Sequence, residues 1–350
     1  MKRFLFIILI SAFVACQPLP TEIFFSSFDS NSQQEIQFKH IRDVEVDAMG
    51  NLYVLDGKTN STQHVWLGNP ALYKVSTEGS VEKIDFPNHQ ITIQSVNSLL
   101  VRSGVLYIAS SGCLFSMALN TLERSPEPFY GSCLNAEESE KVLEVRRSKT
   151  LSEEDKNQFF SAYPQGSFLW SSFETMAHKN IYMQTSDLKT GSTRYLELSQ
   201  ALTVTEVMGD HPQKGFVSVV EGYSPFYLIS NNGWEYREET EVVPGPGYVP
   251  PASRLFRRPF KKPFQGDDDY QIIYDGKETV RLLALDSENR FYFLEHDILK
   301  RGSDSGVVEE IARVENRNFV RSKVSPDNKW IYFFNDTEIY RVALPLEAQS

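Results

Sequence analysis

The chain has 350 residues, 41% of them hydrophobic and 13% aromatic, and a formal net charge of -11 at pH 7. It is long enough for a large core and too apolar and aromatic for a disordered chain. Its acidic balance repels phosphate backbones, which counts against nucleic acid as a partner.

In chain order, Lys2 and Arg3 form a positive start, residues 4–14 an apolar run, and Ala15 and Cys16 a small-residue junction. The run falls short of the roughly 20 residues that span a bilayer. This stretch resembles a bacterial lipoprotein signal, with Phe13, Val14, Ala15 and Cys16 as the lipobox and phenylalanine where leucine is commonest. The resemblance implies removal of residues 1–15, lipid on Cys16, and a tether over 16–34 that anchors an exported domain to a membrane. Acyl chains insert at about 0.8 kcal/mol per CH₂. Gln17 after the cysteine implies, by analogy with enteric bacteria, an outer-membrane address in a cell with two membranes. An ordinary secretory signal with an incidental Cys16 is the alternative.

Beyond the tether a unit recurs: a short apolar strand, a polar turn, then an aromatic strand. It is clearest at 44–56, 282–295 and 322–336, with weaker copies at 99–110, 171–186 and 205–220. The turns use Asp, Asn, Gly, Ser and Pro, and the strands use β-branched and aromatic residues. Third and fourth strands follow, at 71–86 and 297–314 for example, whereas 224–243 reads as the continuation of the fourth copy. Four antiparallel strands in about 40–50 residues mark a β-propeller blade. The predicted fold is therefore all-β, a six-bladed propeller over 35–346. A seventh blade using 271–280 is the alternative. The last copy lacks a fourth strand, and an N-terminal strand, 22–28 or 35–41, would supply it and remove exposed sheet edges.

Asp47, Gly50, Asn51, Leu52, Tyr53 and Val54 form a pattern that resembles the six-bladed propellers of the NHL and SMP-30/gluconolactonase-like group. Relatives in that group often hydrolyse lactones with one divalent metal held in a central channel by a Glu, an Asn and an Asp from separate blades. Glu45, Asp47, Glu174 and Asp286 lie on or beside predicted inner strands, but a turn role accounts for Asp47 and Asp286. The six histidines, His40, His64, His89, His178, His211 and His296, show no ligand spacing, and no metal or cofactor is expected outside the hydrolase reading.

With Cys16 assigned to lipid, Cys113 and Cys133 remain. They flank a hairpin turning near 120–123, which suggests a disulfide in an exported protein; two buried thiols are the alternative.

Three stretches break the rhythm. Residues 57–70 present His64 and Trp66. Residues 134–163 read as helical, with Thr150 and Glu153 at capping-box spacing. Residues 244–269 carry Arg254, Arg257, Arg258, Lys261 and Lys262 among Phe256, Phe260 and Phe264, and end in Asp267, Asp268 and Asp269. An anionic surface is one reading of those cations; solvated pairing with the acidic ring is the other. The leading functional expectation is a membrane-anchored propeller that binds an envelope protein or other ligand, with Trp66, Tyr248 and Arg257 as contact candidates. A metal-dependent lactonase and a carbohydrate-binding module are the alternatives.

Overall fold

The computed structural model describes residues 22–26, 38, 40–60, 65–84, 96–110, 112–122, 127–131, 133–163, 167–177, 180–199, 201–206, 227–230, 232–240, 253–259, 270–314, 319 and 321–345. Within these residues, six four-stranded antiparallel sheets follow one another along the chain. Sheet 1 holds β2 (Ile41–Val46), β3 (Leu52–Asn60), β4 (Val65–Val75) and β5 (Val81–Ile84). Sheet 2 holds β6 (Val96–Arg102), β7 (Val105–Ser110), β8 (Cys113–Ala118) and β9 (Glu127–Gly131). Sheet 3 holds β10 (Phe168–Ala177), β11 (Asn180–Asp187), β12 (Thr193–Leu198) and β13 (Val204–Glu206). Sheet 4 holds β14 (Tyr227–Ile229), β15 (Trp234–Thr240), β16 (Ser253–Pro259) and β17 (Gln271–Asp275). Sheet 5 holds β18 (Val280–Leu285), β19 (Phe291–Glu295), β20 (Ile298–Gly302) and β21 (Val308–Arg313). Sheet 6 holds β22 (Arg321–Val324), β23 (Trp330–Phe334), β24 (Glu338–Ala343) and, from the front of the chain, β1 (Glu22–Ser26).

Most inner strands are apolar on both faces, because a neighbouring sheet covers each face. In sheet 1, Leu52, Val54 and Val75 meet Tyr332, Phe334 and Ile339 of sheet 6. The alternate residues Tyr53, Leu55 and Leu72 meet Leu99, Leu106, Ile108 and Phe115 of sheet 2. Similar apolar layers join sheets 2 and 3, 4 and 5, and 5 and 6. Burial is worth about 25 cal/mol per Å² of apolar surface, so a sheet with two such faces is stable only between neighbours. Sheet 4 differs on the face turned away from sheet 5. There Glu235, Arg237 and Arg258 are buried beside Tyr270. Each first strand packs beside the first strand of the next sheet, and β22 packs beside β2, a propeller-like arrangement.

The fourth strand of sheet 6 comes from the first of the two segments the sequence offers. β1 pairs with β24, Glu22 opposite Arg341 and Ser26 opposite Glu338, and lies ahead of residue 35. Residues 271–280 build no extra sheet; they supply β17 to sheet 4 and the start of β18. The fourth strand–turn–strand copy is also misplaced by the sequence reading. Residues 204–206 close sheet 3, and sheet 4 opens at 227–240, the stretch read as a continuation.

The stretches outside the rhythm resolve differently. Residues 57–60 and 65–70 extend β3 and β4 as paired strands, past an irregularity between Asp56 and Lys58. Helices α1 (Ala136–Arg147) and α2 (Glu153–Phe160) pack Val142, Leu143 and Phe160 with Leu134 and Leu188. Their capping boxes are Asn135 with Glu138 and Ser152 with Asp155, not Thr150 with Glu153. Part of 244–269 is the core strand β16. A disulfide joins Cys113, at the start of β8, to Cys133, just beyond β9.

Candidate functional site

One turn recurs between the first and second strands of sheets 1, 4, 5 and 6, at residues 47–51, 230–234, 286–290 and 325–330. In each, the fourth residue donates its N–H to the carbonyl of the first: Gly50 to Asp47 at 3.0 Å, Gly233 to Ser230 at 3.1 Å, Asn289 to Asp286 at 3.1 Å and Asn328 to Ser325 at 2.9 Å. That fourth residue is left-handed, with φ of 86°, 85°, 65° and 56°, which selects glycine or asparagine. Asp47 holds its turn together: Oδ1 accepts the N–H groups of Met49 and Asn51, both at 2.9 Å, and Oδ2 accepts Asn51 Nδ2 at 2.8 Å and the Tyr53 hydroxyl at 3.3 Å. Asp286 does the same for Glu288 N and Arg290 N at 2.9 Å, Arg290 Nε at 2.6 Å and the Tyr292 hydroxyl at 2.9 Å. Burial, then the adjacent carboxylate, pushes both phenols well above the usual tyrosine range.

On β2, two buried carboxylates tie neighbouring sheets together. Asp43 accepts the Ser98 hydroxyl and the Leu99 N–H of sheet 2, both at 2.9 Å. Glu45 pairs with Lys323 of sheet 6 and accepts the Val101 N–H of sheet 2 at 3.3 Å. Burial raises the Glu45 carboxyl, Lys323 pulls it back, and Asp43 adds to the rise. Among the described residues, no three His, Cys, Asp or Glu side chains gather to hold a metal ion. Glu174 lies on β10, and its side chain is outside the described residues.

The cationic stretch is paired within its surroundings. Arg254 Nε meets Asp275 of β17 at 3.2 Å, and Arg258 meets the buried Glu235 of β15 at 3.1 Å. Burial raises the Glu235 carboxyl, and Arg258 above all, with Arg237, opposes that rise. Arg257 Nη1 crosses to Asp304 of sheet 5 at 2.7 Å while its guanidinium stacks 4.4 Å from the Trp234 ring. Asp304 also accepts the Tyr236 hydroxyl at 2.9 Å and Asn232 Nδ2 at 2.6 Å. Arg257, expected as a contact residue, thus pins sheet 4 to sheet 5. Phe256 packs beside Tyr270, with Arg237 over both rings.

Trp66 stands on β4 opposite Thr59. Cys16, His64, Tyr248, Phe260, Lys261, Lys262, Phe264 and Asp267, Asp268 and Asp269 lie outside the described residues. The sequence reading misses one regularity: a tyrosine early in the second strand opposite a cation on the third. It occurs as Tyr53 with Lys74, Tyr236 with Arg257, Tyr292 with Arg301 and Tyr332 with Arg341. The tyrosines were visible in the sequence; their partners required the register.

No protein-family model matches the chain, and no curated protein matches it. Among solved structures it is similar to a streptogramin B lyase at 12% identity, with 94% of this chain and 98% of that chain covered and a TM-score of 0.46. It is also similar to a gluconolactonase from Xanthomonas campestris at 8% identity, 94% and 97% coverage and a TM-score of 0.47. A virginiamycin B lyase from Staphylococcus aureus overlays at 9% identity, 89% and 98% coverage and a TM-score of 0.37. These overlays bear on neither substrate nor chemistry.

Proposed function

We propose that this chain is an exported, lipid-anchored binding module of the bacterial cell envelope, built as a six-bladed propeller that β1 closes. The anchor rests on the charged, apolar and small-residue order of residues 1–16, which ends on Cys16. The ring rests on the succession of first strands and on the pairing of β1 with β24. One observation carries the choice of a binding module over a hydrolase. Asp47 and Asp286, two of the four carboxylates that the sequence offers for metal chemistry, are each filled by four hydrogen bonds from their own turn and the strand after it. Groups so engaged stiffen a scaffold, and a rigid scaffold presents loops for recognition.

Metal analysis of the purified protein, with a lactone hydrolysis assay in the presence and absence of chelator, tests the module. The expected result is substoichiometric metal and no chelator-sensitive turnover; stoichiometric metal with such turnover would reverse the choice. Fractionation tests the anchor: a Cys16→Ala variant should leave the membrane fraction, and its retention there would exclude lipid on Cys16.

A further inference from the structure

Sheets 4 and 6 carry the same three side chains at the same register. Trp234 opens β15, Tyr236 follows two residues later, and Arg257 of β16 stands opposite Tyr236. Trp330 opens β23, Tyr332 follows two residues later, and Arg341 of β24 stands opposite Tyr332. Each guanidinium lies 4.4 Å from its tryptophan ring. Both tyrosines are buried.

The two groups face different partners across the boundary to the next sheet. Between sheets 4 and 5 the group grips a carboxylate, Asp304, in the turn at 303–307. The corresponding turn of sheet 1 is 76–80, closed by the same two bonds: Ser76 N to Ser80 O and Gly79 N to Ser76 O, matching Ser303 N to Val307 O and Gly306 N to Ser303 O. On that alignment Thr77 occupies the place of Asp304.

A second difference accompanies that one. Asn289 Oδ1 accepts the Asn232 N–H at 3.3 Å between sheets 4 and 5, and Asn328 Oδ1 accepts the Ser287 N–H at 3.4 Å between sheets 5 and 6. Between sheets 6 and 1 the corresponding residue is Gly50, which has no side chain to reach back. A cavity of about 200 Å³ lies at this boundary, lined by Met49, Gly50, Thr77, Trp330, Tyr332 and Arg341 together with Asp47, Asp327 and Lys329.

We propose that this cavity binds a small carboxylate, whose head group sits at Arg341 and Tyr332 as Asp304 sits at Arg257 and Tyr236. A guanidinium presents five N–H donors in a planar fork suited to carboxylates, so Arg341 can keep its own contacts and still serve the ligand. Trp330 and Met49, the latter 72% exposed, supply an apolar wall for the carbon skeleton. The two acids of the lining are already engaged. Asp47 is filled by its own turn, and Asp327 takes the Ser325 hydroxyl at 2.6 Å, the Lys329 N–H at 3.2 Å and Lys329 Nζ at 3.1 Å. The volume lies below the roughly 300–1,000 Å³ of drug-sized sites, which restricts the ligand to a few carbons.

The site deepens the binding-module reading and rests on it for its biological sense. Its test is a titration of the full-length protein with succinate, and with neutral succinamide as the control, followed at the Trp330 indole N–H resonance assigned with Trp330→Phe. Succinate should give a saturable shift and succinamide none. Arg341→Gln should weaken binding about tenfold or more, the scale of a lost charged hydrogen bond. Thr77→Asp, on an exposed turn, should place the protein's own carboxylate in the site and abolish binding in a folded protein. An unshifted resonance, an equal response to succinamide, or full binding by Thr77→Asp would overturn the proposal. Such a failure would leave the module itself to be judged by the metal and lactone assays.

Discussion

At the scale of single residues, buried acids act here on backbone and phenol groups. Asp286 satisfies two backbone N–H groups, Arg290 Nε and the Tyr292 hydroxyl, so Asp286→Ala strands several partly or fully buried donors at once. An unsatisfied buried polar group costs about 1–3 kcal/mol, and the expected loss is about 3 kcal/mol in urea unfolding. A change within 0.5 kcal/mol would show that the turn holds without its acid. Glu295 carries a pH signature. Burial pushes its carboxyl up, but hydrogen bonds from Lys300, the Tyr274 hydroxyl and the Lys277 N–H, with the charge of Lys300, bring it down to about 2. A carboxyl lowered on folding stabilises fully above its ordinary value of 4.5 and surrenders that stability as pH falls through about 2. Glu295→Gln should therefore flatten the acid limb of stability between those values. Urea midpoints across that range measure it, and an unchanged limb would assign the acid sensitivity elsewhere.

At the scale of elements, the hairpin of β8 and β9 is held by chain geometry and a covalent bond. Gly131 has φ of +80°, and a Cβ there would lie 2.1 Å from the Gly112 carbonyl oxygen, so two backbones meet where only glycine fits. The Cys113–Cys133 bridge closes this hairpin, and a loop of that length is worth about 3 kcal/mol in the chain-entropy model. Reduction should lower stability by about that amount, read from denaturant unfolding with and without dithiothreitol, and coincident curves would mean that the surrounding core fixes the hairpin unaided. The bridge was legible because strand, turn and strand stand in order around it. Sheet 4 was not legible, for a physical reason. Arg254, Arg257 and Arg258 read locally as a solvated charge run, yet their partners lie elsewhere in the chain: Asp275 and Glu235 on neighbouring strands, Asp304 in a turn of another sheet. Long-range pairing turns a hydrophilic segment into a core strand, and no local periodicity reports it. The repeated Trp, Tyr and Arg group was hidden likewise, since Trp330 meets Arg341 only through the register of β23 and β24.

At the scale of the whole molecule, six sheets each cover a neighbour, and the last receives its outer strand from the opposite end of the chain. β24, whose Ile339, Tyr340 and Val342 are buried, would otherwise present a row of unpaired N–H and C=O groups at its outer edge. Such an edge recruits other chains. The need for a fourth strand was visible in the sequence, because the last copy is one strand short. Which segment would supply it was not, because 22–28 and 35–41 are both strand-like and only pairing with β24 separates them. Deleting residues 22–26, with the rest of the chain intact, should therefore lower the melting temperature and produce concentration-dependent association, whereas deleting residues 30–34 should do neither. Light scattering alongside thermal melting distinguishes the two variants. If both melt as the intact chain does, the contacts of β22 with β2 and β18 hold the arrangement without the strand, and β1 covers an edge that did not need covering.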